Sequence, residues 1–139
     1  VAGNKLNDAL KIGNNYLKKN KIPIINYISE NNKKKEDCFN EYKNLISNIN
    51  SNYIIALKLS SLDFNKQAAY NIADVCKKKD IKLIIDAEED KNIEQYRNIV
   101  NYMIRKYNNI HSNNFTIIKT YQMYRKDSLI EYFPLNNIL

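Results

Sequence analysis

Four polar residues break apolar runs at a regular interval: Asn26, Lys58, Asp86 and Lys119. Successive members lie about 30 residues apart, the length of one βα unit. Each sits at or near the carboxyl end of its run, and in parallel α/β folds those ends gather ligand-binding groups. A lysine embedded in Ala56-Leu57-Lys58-Leu59 costs desolvation unless it meets an anion or a carboxylate. Single residues of this kind are readily explained as strand ends reaching solvent. Lys58 and Asp86 together are harder to explain that way, and they point to a polar site on one rim.

The elements that must carry these residues are legible from hydrophobic period. Leu6, Ala9, Leu10, Gly13, Tyr16 and Leu17 share one helical face, and Pro23 marks its exit. Ile22 to Ile28 reads as a buried strand, followed by a polar stretch from Asn31 to Glu36. Phe39, Tyr42, Leu45, Ile46 and Ile49 form a second helical stripe, and Tyr53 to Leu59 a second strand. Ala68, Ala69, Ile72, Ala73 and Cys76 line a third helix, and Ile81 to Ile85 is a strand ending in Asp86. Ile93, Tyr96, Val100, Met103, Ile104 and Tyr107 define the next helix, then Phe115 to Tyr121 a last strand. A short helix from Asp127 to Phe133 is stopped by Pro134. One helix followed by four βα units predicts a parallel sheet covered by helices. Four units do not close an eight-stranded barrel, so the choice lies between a small open sheet and half a barrel.

Composition narrows the chemistry. The 139 residues carry a net charge of +7, yet 24 Asn, 19 Lys and 21 Ile indicate a broad compositional skew. Lys33-Lys34-Lys35 follows a strand and Lys77-Lys78-Lys79 ends a helix, so the two runs lie at opposite ends and form no nucleic-acid patch. Tyr16, Tyr42, Tyr96 and Tyr107 fall on apolar helical faces and read as core or its margin. His111 reads as a surface residue, and Cys38, Cys76 and His111 have no metal-ligand spacing. Two cysteines outside any CxxC pair fit a reduced compartment better than a disulfide scaffold. Of the acidic run, Glu88 to Asp90 is expected to favour the next helix start, leaving Asp86 as the inward group. Gly3 and Gly13 are the only glycines, so no glycine-rich phosphate loop exists. No apolar run reaches the roughly 18 residues that span a bilayer. Val1 to Lys5 has no signal-peptide core, and in an excised piece any targeting segment would lie elsewhere.

Five segments, in order, resemble the proline dehydrogenase family. They are Val1-Ala2-Gly3 with Leu6, Ala9 and Leu10; Ile25-Asn26-Tyr27-Ile28-Ser29-Glu30; Ala56-Leu57-Lys58-Leu59-Ser60; Ile84-Ile85-Asp86-Ala87-Glu88-Glu89; and Lys119-Thr120-Tyr121-Gln122-Met123-Tyr124. The resemblance covers nearly the whole chain. It implies the first half of a distorted (β/α)8 TIM-like barrel, with FAD over its carboxyl rim. It also implies oxidation of L-proline to 1-pyrroline-5-carboxylate, with electrons passed to a quinone. On this likeness Lys58 and Asn26 contact the substrate, Lys58 and Asp86 are catalytic, and Asp86, Lys119 and Tyr121 lie by the flavin. The matrix side of the mitochondrial inner membrane, and association of the full-length protein with the membrane surface, come from the same likeness.

Two positions depart from the family pattern. Asn26 stands where the family has aspartate, and Lys119 where glutamine or asparagine is expected. The family's later arginines, which grip the carboxylate and flank the flavin, have no counterpart in these segments. The isolated chain is therefore expected to oxidise no proline, to hold FAD poorly and to self-associate through open strand edges. Two other classes remain at this point. One is a non-enzymatic βα domain that binds an anionic partner through its rim lysines; the other is a degenerate relative without redox chemistry.

Overall fold

The computed structural model describes residues 5–27, 35–109, 111 and 114–128. Helix α1 (Leu6–Leu17) leads into strand β1 (Ile24–Asn26), and α2 (Lys35–Ser47) into β2 (Ile54–Leu57). A 3-10 turn (Leu59–Leu62) then precedes α3 (Lys66–Lys78) and β3 (Lys82–Ile85). A second such turn (Asp90–Asn92) opens α4 (Ile93–Tyr107), and β4 (Ile117–Lys119) follows. The four strands pair in parallel and in chain order, β1-β2-β3-β4. This is an α/β protein whose sequential sheet is compatible with part of a barrel.

The strands are shorter than the apolar runs that announced them. Ile22 is left outside β1, 66% exposed, and Leu59 leaves β2 to open the 3-10 turn. Most of the expected closing helix, from residue 129 onward, lies outside the described residues, as do Lys33 and Lys34.

Burial alternates along β3, whereas β2 is buried at three consecutive positions, Ile55 to Leu57. Ile55, Leu57, Leu83, Ile85 and Ile117 are buried, and the register aligns Ile55 with Leu83 and Leu57 with Ile85. That face meets the helices, with α2 packed on α3 and α3 on α4. The opposite face aligns Asn26, Ala56, Ile84 and Ile118. Tyr42, Tyr96 and Tyr107 are core as the helical period predicts, whereas Tyr16 is 48% exposed. Its position on α1 turns it past the edge of the single face that meets the core.

With almost no glycine, other residues end the helices. Asn20 and Asp80 adopt left-handed φ of 56° and 54°. Lys21 N–H then reaches the Tyr16 carbonyl, and Ile81 N–H reaches that of Cys76. Both are closures in which asparagine or aspartate replaces the usual glycine. Lysines close other ends: Lys77 donates to the Tyr107 carbonyl (2.7 Å), and Lys79 to that of Ile46 (2.6 Å). Part of the lysine run therefore ties helices together at the amino end of the sheet. Asn108 fastens the start of β4 by accepting from Thr116 and Ile117 N–H and donating to the Ile117 carbonyl.

Gly13 lets α1 approach the sheet. A Cβ there would lie 2.6 Å from Cε1 of Tyr53, a buried ring whose hydroxyl donates to Asn14 Oδ1 (2.7 Å). Gly13→Ala gains under about 1 kcal/mol of helix propensity. Against that, overpacking costs about 1–3 kcal/mol, so the steric effect wins. Urea unfolding of this variant is expected to show a lower midpoint; a higher one would mean that the ring yields freely.

Candidate functional site at the carboxyl ends of the strands

The open face of the sheet brings Asn26, Lys58 and Asp86 together. Asn26 Nδ2 donates to Asp86 Oδ2 at 3.3 Å, joining residues 60 apart across the intervening strand β2. Ala56 lies in register with both Asn26 and Ile84, and its small side chain leaves the passage open. Lys58, exposed at the end of β2, acts electrostatically on Asp86.

Asp86 is half-buried and its pKa is raised above the ordinary value. Desolvation is the largest cause; the Lys58 charge and the Asn26 hydrogen bond oppose it. Because the folded-state pKa lies above the unfolded one, ionisation of Asp86 costs the folded state stability. That penalty sets in as pH rises through the carboxylate range and persists at neutral pH. Asp86→Asn is expected to stabilise the chain at pH 7 by less than about 1 kcal/mol, since solvent screens so exposed a group. Thermal melts at pH 7 and pH 3 check this: the gain shrinks at the lower pH, and an equal gain at both would contradict it.

Two buried tyrosines hold the rim from beneath. The Tyr42 hydroxyl is within 3.5 Å of the Tyr27 and Ala56 carbonyls and of Lys58 N–H, bridging the ends of β1 and β2. Burial pushes its pKa up to about 12, so it stays neutral. The Tyr96 hydroxyl donates to the Thr120 carbonyl at 3.0 Å and lies 3.4 Å from that of Ile85, bridging β3 and β4. The helical period marked both as core; that their hydroxyls end under the rim needed the folded arrangement.

Lys119 is not brought to the other three. Register pairs it with Ile85, on the helix-covered face, and its ammonium donates to Asn101 Oδ1 of α4 at 3.1 Å. Its charge also lies 4.9 Å from the ring centre of Tyr121. Tyr121, Thr120 and Gln122 line a small recess with Ala87, Tyr96 and Arg97. Asp127 secures this segment through Arg97 (2.5 Å) and Arg125 (3.1 Å), which hold its carboxyl down at about 2.

Two rim residues escaped the sequence reading. Glu88 does not face the next helix start but is buried, 3% exposed, accepting Ser60 N–H at 2.8 Å. Gln122 Nε2 donates to the Glu88 carbonyl at 3.1 Å, while its Oε1 is buried without a hydrogen-bond partner among the described residues. The signal for both was position: each lies within three residues of a strand end. Among the described residues, no group of three or more His, Cys, Asp or Glu is placed to hold a metal ion. Nor is any described helix long and apolar enough to cross a membrane.

A parallel α/β sheet with a lysine, a carboxylate and an amide gathered on its carboxyl rim has the layout that α/β enzymes use for small-molecule sites. Within that class the chain belongs to the proline dehydrogenase family, whose model matches residues 10–132. Membership implies an oxidoreductase acting on proline, in a family that is generally flavin-dependent. No curated protein matches the chain.

Proposed function

We propose that the protein is an FAD-dependent dehydrogenase that converts L-proline to 1-pyrroline-5-carboxylate and passes the electrons to a quinone. The observation that carries this is the Lys58–Asp86–Asn26 group on the open face of a sheet belonging to that family. Lys58 supplies a compact cation for the proline carboxylate, which orients the ring. Asp86, held by Asn26, offers a carboxylate to the ring nitrogen and the cationic groups around it. Asn26, which stands where the family has aspartate, keeps this contact without adding a second negative charge.

The residues present suit a flavin. Ala56, Ile84 and Ile118 align as an apolar floor on the open face, and Gln122 Oε1 is a buried acceptor awaiting a donor. When bound, the flavin supplies the two-electron acceptor for the ring C–H that is broken. Lys119 and Tyr121 reach it only from the recess beside β4, so their contribution is smaller than that of Lys58 and Asp86.

On the same reading, the four strands are consecutive units of a (β/α)8 barrel, and the protein works at the matrix face of the mitochondrial inner membrane. The intact protein should retain yellow flavin and reduce a dye with proline; a well-folded colourless protein that ignores proline would sink the proposal. The chain alone should self-associate, because Ile22 and Ile24 are 66% and 56% exposed beside β1, an edge strand among the described residues. A monomer in sedimentation at all concentrations would contradict this.

A further inference from the structure

We propose that Glu88 is a positioning residue that fixes the direction of Lys58 toward Asp86, an inference that rests on the site reading above. Lys58 is the hinge between two anchored pieces. Before it, β2 is held in its ladder as far as Leu57; after it, the 3-10 turn begins with Lys58 as its N-cap. The first amides of such a turn have no partner within it, and the side chain of Lys58 does not cap them. Glu88 Oε1 takes one of them, Ser60 N–H, at 2.8 Å.

A carboxylate buried to 3% exposure is tolerated only with hydrogen bonds, and an amide-to-carboxylate bond is among the stronger ones. The glutamate is not needed for the helix start that follows. Glu89 is the N-cap of the 3-10 turn that opens α4 and pairs with Lys91, while Asp90 pairs with Arg125. Glu88 instead joins three strand ends. Its side chain holds the turn after β2, its backbone extends from β3, and its carbonyl accepts from Gln122 beyond β4. The base of Lys58 is thereby set relative to Asp86.

Asn26 of β1 is hydrogen-bonded to Asp86, Lys58 just after β2 acts on it electrostatically, and the Asp86 charge in turn reaches Tyr42 of α2. Glu88 and Glu89 follow it on its own segment. This makes the sign of one measurement decisive. Loss of a negative charge near a carboxyl group can by itself only lower that group's midpoint. Releasing Lys58 raises the Asp86 midpoint, because the opposing cation moves away.

In carboxyl NMR titrations, Glu88→Ala is expected to move the Asp86 midpoint up, whereas Glu88→Gln, which keeps an acceptor for Ser60, does not. An unmoved or lowered midpoint in folded Glu88→Ala overturns the proposal. The wild-type protein offers a check that needs no folded alanine variant. The Ser60 amide should exchange slowly with solvent and shift in Glu88→Gln, and free exchange overturns the proposal. In proline oxidation, Glu88→Ala should lose about tenfold or more in kcat/KM, chiefly through KM, as expected for a displaced binding group. If the intact wild-type protein oxidises no proline, the functional reading falls, and the Asp86 titration still decides the role of Glu88.

Discussion

In the intact protein, replacing Lys58 by alanine is expected to lower kcat/KM for proline by about two orders of magnitude, with most of the loss in KM. Truncating one partner of a close charge pair costs about 2–5 kcal/mol, much of it from leaving the other charge unpaired. Here that other charge is the substrate carboxylate. Lys58 is exposed at the end of β2 and makes no contribution to the buried core. Its removal should therefore change stability by no more than about 0.5 kcal/mol. A large kinetic loss in an unaltered scaffold separates a binding role from a structural one. Lys58→Arg should recover only part of the activity, since a planar guanidinium does not reproduce a compact ammonium. Steady-state kinetics beside thermal melts make the comparison, and unaltered turnover in Lys58→Ala would remove the lysine from the site.

The largest effect on stability is expected one residue before the site's carboxylate. Ile85 is fully buried, aligned between Leu57 and Lys119, and its carbonyl accepts from Thr120 N–H. Ile85→Ala should cost about 2–5 kcal/mol from lost burial and the cavity left behind, and Ile85→Val about 0.5–1.5 kcal/mol. Domains of this kind have about 5–15 kcal/mol in total, so the alanine variant removes a large share. It should also disturb Asp86 through the shared backbone, whereas the valine variant should not. Urea midpoints for the two variants test the ranking; equal losses would show that the cavity closes by collapse.

The alternation of helices and strands was legible because every helix here is amphipathic and every strand follows an apolar run. Strand length was not. Ile22 and Leu59 continue their runs in composition but lie beyond the ladder, and pairing depends on a neighbour the run does not mention. Asn26, Lys58, Asp86 and Lys119 were legible together because each breaks an apolar run near its carboxyl end, about one βα unit apart. Lys119 was not separable from the other three in the sequence. The run around it is apolar on both sides, so nothing in it tells which face a given residue takes. The register with Ile85 decides that. Glu88 was misassigned because an acidic residue ahead of a helix ordinarily serves the helix start, and only its contact with Ser60 shows otherwise.

The chain-order pairing of the strands also has a consequence for synthesis. Each of β2, β3 and β4 finds a partner in the unit made just before it, so among the described strands no pairing waits for a distant segment and each new unit can add to a sheet already begun. The contact between Asn26 and Asp86 is the exception, since it skips a strand. A nascent chain ending within α3 would hold a paired β1 and β2 and the Lys58 turn without its brace, and no site. Emergence of β3 supplies Asp86, the partner for Asn26 and, two residues later, the glutamate that braces the lysine. Assembly of the scaffold is thus gradual, while the site appears in a single step.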